Sequence, residues 1–158
     1  VSEDITRRVV RRFLAKKEEP QDAASFTKGF FKRHPKLKRY APSKVVDKTS
    51  GGGGSHPEAR QTGQEIQLYP KFWKLDPKTR DFVFAHEIGH WQLSEYGLAK
   101  LIASLGELGV DPWDSSNLPF GQFNMDEAFA DCFATYFLDP SELKSRYPAW
   151  EAVVEKVI

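Results

Sequence analysis

Apolar residues recur at helical spacing near the start of the chain: Ile5, Val9, Val10, Phe13 and Leu14, with Arg7, Arg8, Arg11, Arg12 and Lys16 between them. This pattern predicts a basic amphipathic helix over residues 3–17, stopped by Glu18-Glu19-Pro20. Asp22 or Ser25 then stands as the cap of a second short helix carrying Ala24, Phe26, Phe30 and Phe31. That helix ends before His34-Pro35, because a residue preceding proline is pushed out of the helical region. Residues 40–48 read as extended. Polar and apolar residues alternate through Gln64-Glu-Ile66-Gln-Leu68-Tyr-Pro70 and predict a strand. A helix follows over 77–94, with Phe82, Phe84, Ala85, Ile88 and Leu93 as its apolar contacts, and a further helical stretch over 97–105. Residues 106–123 hold Gly, Pro, Asp, Ser and Asn without a period and predict a long loop, in which Trp113 and Phe120 are candidate pocket walls. A strongly apolar helix is expected over 125–138, closed by Asp139-Pro140, and a last one from Pro148, with Trp150, Val153, Val154 and Val157.

At 158 residues, 40% of them apolar, with 4 Trp, 5 Tyr and 12 Phe, the chain is long enough to bury a core as one globular domain over 1–158. Its apolar runs are too short to cross a membrane, and no signal peptide is evident, so a cytoplasmic location is the expectation. The chain reads as a domain excised from, or processed out of, a longer protein. Cys132 is the only cysteine, which excludes an internal disulfide and a cysteine-rich zinc site. The formal charge of +1 conceals an asymmetry. Residues 1–48 hold 14 Lys/Arg against 6 Asp/Glu, and residues 49–158 hold 9 against 16. The basic region can serve nucleic acid, an acidic protein, or the acidic body of its own domain. Residues 51–55, Gly-Gly-Gly-Gly-Ser, spell a flexible unit common in engineered linkers; a natural Gly-rich turn is the other reading.

The chemistry concentrates in His86-Glu87-Ile-Gly-His90. On a helix, positions i and i+4 share a face, so two imidazoles can meet one metal ion. Glu87 sits one residue after the first histidine, where it can reach a water molecule at the metal without ligating it. Gly89, costly inside a helix, suggests close packing of another backbone. A catalytic zinc needs a third protein ligand. The other histidines, His34 and His56, lie upstream, His56 within the flexible tract, and no third histidine follows at the spacing of extended zinc motifs. A carboxylate is therefore required. Glu127 and Asp131 stand four apart on an otherwise Ala- and Phe-rich helix, where acids need positive charge, metal or histidine. Glu127 is assigned as third ligand, with Asp131 the alternative, and Asp131 otherwise as acceptor for a ligand histidine N–H, that of His86. Asn124 and Glu127 also stand at capping-box spacing, so Glu127 has a rival role at its own helix terminus.

In these residues the chain resembles the gluzincins, whose second metal-bearing helix opens its E-x-x-x-D/E stretch with the ligand glutamate. The phrase Asp-Glu127-Ala-Phe-Ala-Asp131-Cys-Phe-Ala-Thr-Tyr is similar to the glutamate helix of lethal-factor-like metallopeptidases and of small peptidase domains in phage and mobile-element proteins. The resemblance covers about residues 64–140, taken as the catalytic core. It implies a small α+β zincin-like domain, with a short sheet whose 64–70 strand forms the edge beside the cleft, the active-site helix at the cleft floor and a helical C-terminal lobe, holding one Zn²⁺ and hydrolysing peptide or protein substrates with Glu87 as general base. One departure stands out. The lethal-factor-like group places a tyrosine shortly before the ligand glutamate, and Leu118–Phe123 contains none. Help for the developing oxyanion must then come from Tyr136, Tyr96, Tyr147 or His56, or be weak. The alternative to a peptidase is a sensor or interaction domain whose basic N-terminal helix binds nucleic acid or an acidic protein, and a further possibility is an autoprocessing peptidase within a larger polyprotein.

Overall fold

The computed structural model describes residues 22–52 and 58–158. The predicted helix over 3–17 and His56 lie outside them. Helix α1 (Ala23–Arg33) begins where Asp22 accepts the Ser25 N–H at 2.8 Å and Asp47 accepts the Ala23 N–H at 2.8 Å, so both capping bonds come from carboxylates. Phe26 and Phe30, four apart, are buried. A 3₁₀ turn (Pro35–Tyr40) leads into strand β1 (Lys44–Asp47), and β2 (Ala59–Thr62) and β3 (Glu65–Leu68) form a two-residue hairpin around Gly63-Gln64. Gly63 takes φ 59°, the left-handed value that such a turn requires. The sheet order is β1-β3-β2, with β1 parallel and β2 antiparallel to β3. This corrects the position expected for the 64–70 strand. It occurs, but as the middle strand, and the edges belong to β1 and β2. Ile66 and Leu68, fully buried, give the physical reason: the most apolar strand takes the most covered place.

A second 3₁₀ turn (Pro70–Lys74) precedes α2 (Pro77–Tyr96), which Asp76 caps through the Thr79 N–H at 3.1 Å and Gly97 ends at φ 98°. Next come α3 (Leu98–Glu107), a connection with two short 3₁₀ turns, α4 (Met125–Leu138), α5 (Pro140–Arg146) and α6 (Pro148–Val157). The class is mixed α+β and mostly helical, and no described helix is long and apolar enough to cross a membrane. Helix α5 was not foreseen, because Asp139-Pro140 reads as a stop. Here the same proline opens a new helix, where its missing N–H costs nothing.

The centre of the molecule is the packing of α2 on α4. A Cβ on Gly89 would stand 3.0 Å from Ala130 Cα and from Phe133 Cβ, so this glycine sets how closely the two backbones approach. Around that contact Ala128, Phe129, Ala130, Cys132, Phe133 and Ala134 of α4 are fully buried. Phe26, Phe30, Phe72 and Phe84 meet edge-on or tilted at centroid distances of 4.7–5.9 Å beneath α1 and α2. Buried Asp81, in the second turn of α2, accepts from Arg33 Nε and Nη2 (3.0 and 2.7 Å) and lies 2.7 Å from His34 Nε2, tying the end of α1 to the helix that carries His86.

Candidate metal centre

Two elements build the site. Helix α2 supplies His86, Glu87 and His90, and the first two turns of α4 supply Glu127 and Asp131. The close approach at Gly89 brings the two helices near enough for their side chains to meet. His86 Nε2 and His90 Nε2 stand 3.0 Å apart, Glu127 Oε2 lies 3.1 Å from His86 Nε2, and Glu127 Oε1 lies 3.2 Å from His90 Nε2. The three residues each offer one donor atom, all within 4.8 Å of one another, a set that can hold a metal ion. They are partly buried: side-chain exposure is 12% for both histidines and 23% for Glu127.

Asp131 binds the far side of His86, with Oδ1 2.8 Å from Nδ1. Its other oxygen accepts from Gln122 Nε2 at 2.7 Å. A proton on His86 Nδ1, donated to Asp131, makes Nε2 the nitrogen that would give up its proton to ligate a metal. Burial works against charge on His86, yet the hydrogen bonds to Asp131 and Glu127 outweigh it, and the imidazole is pushed up to about 10. Hydrogen bonds from His86 and His90 hold the Glu127 carboxyl well below the usual carboxylate range. The His86 imidazole and the Glu127 carboxylate thus favour opposite charges, and a cation held between them would compete with the His86 proton. The rival capping role of Glu127 is realised by its backbone alone: its N–H donates to Asn124 Oδ1 at 3.2 Å while its carboxylate turns to the histidines.

Glu87 is buried and accepts the backbone N–H of Gln61 at 2.6 Å, so the edge strand β2 orients this carboxylate. An open cleft of ≈ 190 Å³ lies between β2 and the two helices, lined by Arg60, Gln61, Glu87, His90, Asp126 and Glu127. Arg60, Gln61 and Asp126 of this lining, and Gln122 on Asp131, were not among the site residues expected from the sequence. Gln61 acts through its main chain, which no residue type reveals, and Gln122 sits in an aperiodic connection. The Gly63-Gln64 turn was the available signal for β2, and hence for Arg60 and Gln61.

The tyrosines named as oxyanion partners do not line this cleft. Tyr136 is on the opposite face of α4, in a separate cleft with Tyr40, Glu151 and Glu155. Tyr96 OH pairs with Ser104 Oγ at 3.0 Å. Tyr147 OH accepts from Phe120 N at 3.2 Å and from Arg146 Nη2 at 3.1 Å. Phe120 packs on Tyr147 with a centroid distance of 4.9 Å, and Trp113 is 74% exposed; neither lines the cleft. Burial, then the charge of Asp131, push the Cys132 thiol far up, in keeping with an apolar core role. Comparisons of the chain with protein families, with curated proteins and with solved structures found no match.

Proposed function

We propose that the chain is a zinc-dependent peptide hydrolase of the gluzincin type. The observation that carries this reading is the convergence of His86, His90 and Glu127, with the two Nε2 atoms 3.0 Å apart and each 3.1–3.2 Å from one of the two Glu127 oxygens, beside the Glu87 carboxylate that shares a cleft with His90 and Glu127. Two imidazoles and a carboxylate are a common catalytic zinc set, and tetrahedral donors at zinc bond lengths stand roughly 3.4 Å apart, a few tenths of an ångström wider than here. A bound zinc ion supplies a Lewis acid that polarises a carbonyl oxygen and brings the pKa of a water molecule to roughly 7. Asp131 fixes the His86 tautomer so that Nε2 is available. Glu87, held by the Gln61 N–H, takes the proton of the attacking water and returns it to the leaving amine. The outer edge of β2 borders the cleft and offers main-chain groups to an extended substrate. With the tyrosines engaged elsewhere, we assign the role of stabilising charge on the carbonyl oxygen to Arg60, the cationic side chain of the cleft.

The test is metal analysis coupled to terminus-resolved peptide cleavage profiling. Glu87→Gln should keep its zinc and lose hydrolysis, and Arg60→Ala should keep its zinc and cleave more slowly. Cleavage by Glu87→Gln at the wild-type rate would remove the general-base assignment. The engagement of Tyr96, Tyr136 and Tyr147 away from the cleft favours one second reading, a metal-holding sensor or interaction domain. A wild-type protein that holds zinc and cleaves nothing across a broad peptide library would favour it.

A further inference from the structure

The sheet has a second open edge. Among the described residues strand β1 pairs only with β3, and Lys44 N–H and Lys48 N–H donate to Gln64 O and Leu68 O. Residues 44, 46 and 48 therefore turn their amides inward, and Val45 turns its N–H and C=O outward. That outer edge borders a groove of ≈ 570 Å³ whose opposite wall is α1, along the stripe Ala24, Thr27, Lys28 and Phe31. Lys32, Lys38 and Lys44 stand around it as well, and among the described residues that line it there is no acid. Lys44 lies 3.7 Å from Glu65, whereas Lys28, Lys32 and Lys38 make no ion pair among the described residues. Thr27 Oγ1 is buried in the same wall without a hydrogen-bond partner among the described residues.

We propose that this groove docks an extended acidic peptide. The peptide adds to the outer edge of β1 as a strand, pairing with the N–H and C=O of Val45, and sets its carboxylates against Lys28, Lys32 and Lys38. The free strand edge reads peptide main chain, which a nucleic acid lacks. Sites for single-stranded nucleic acid commonly add exposed aromatic platforms, and here Phe31 is half-buried edge-on against Phe30 at 5.2 Å. Docking at β1 is separate from the metal cleft at β2, so the inference does not rest on hydrolysis.

Fluorescence anisotropy of the whole chain with labelled Glu-Val-Glu-Thr-Glu-Val-Glu-Thr tests it. Binding is expected at low salt and should weaken by about ten-fold or more in the triple variant Lys28→Glu/Lys32→Glu/Lys38→Glu. The charge-matched triple Lys71→Glu/Lys74→Glu/Lys78→Glu, also at exposed positions, should stay within roughly two-fold of the wild type. Of two peptides N-methylated on alternate amides, one should lose binding and the other keep it. The proposal is overturned if no binding occurs, if both triples weaken it equally, if both methylated peptides bind like the parent, or if an eight-nucleotide oligothymidylate binds as tightly.

Discussion

The two edges of the small sheet offer the same backbone resource to opposite chemistries. At β2 the edge faces a cleft with Glu87, Asp126 and Glu127 among its six lining residues, and one edge amide already holds Glu87. At β1 the edge faces four lysines and no acid among the described lining residues. The charge asymmetry along the chain thus becomes an asymmetry across the sheet, since β1 and α1 belong to the basic first part, while β2, α2 and α4 belong to the acidic remainder. An unpaired strand edge therefore says where a partner can lie. The side chains around it say what kind of partner.

Perturbations confined to one edge should leave the other unmoved. The largest effect is expected for Glu87→Gln, which removes the proposed general base and should lower the rate of peptide cleavage by about 10²–10⁴-fold while acidic-peptide binding at β1 is unchanged. Next is Asp131→Asn, which weakens the charged partner of His86 and should reduce zinc affinity by roughly 10–100-fold in competition titration with a chelator. Smaller in reach is Gly89→Ala. Its Cβ would press on α4 backbone at 3.0 Å and should cost about 1–3 kcal/mol of stability, which thermal unfolding would read as a lowered midpoint. A Gly89→Ala protein of wild-type stability would mean that the α2–α4 contact is looser than described.

Much of this arrangement was legible in the sequence, for local reasons. Asp76 and Asn124 are strong caps, the two helices they open follow clear patterns, and the i, i+4 spacing of His86 with His90 and of Glu127 with Asp131 puts each pair on one face. What failed was non-local. Strand order depends on which strands meet across the chain, so the 64–70 strand could be read as a strand but not as the central one. Ala-Arg-Gln-Thr of β2 is too short to show alternation. Tyr136 illustrates the limit within a helix: nine residues from Glu127 corresponds to about 180° around the axis, which carries it to the opposite face. The lysine excess was visible as a count, yet only the packing of α1 beside β1 gathers it around one groove.

The central claim is that Glu127 completes a metal centre with His86 and His90. The most direct measurement is calorimetric titration of zinc into chelator-stripped wild-type protein and into Glu127→Ala, with circular dichroism to confirm that both are folded. The account predicts one zinc per wild-type chain and an affinity loss on the order of 10²–10³-fold in the variant, one ligand's share of the roughly 10–16 kcal/mol that four-ligand zinc sites provide. Equal stoichiometry and equal affinity in the two proteins would contradict it.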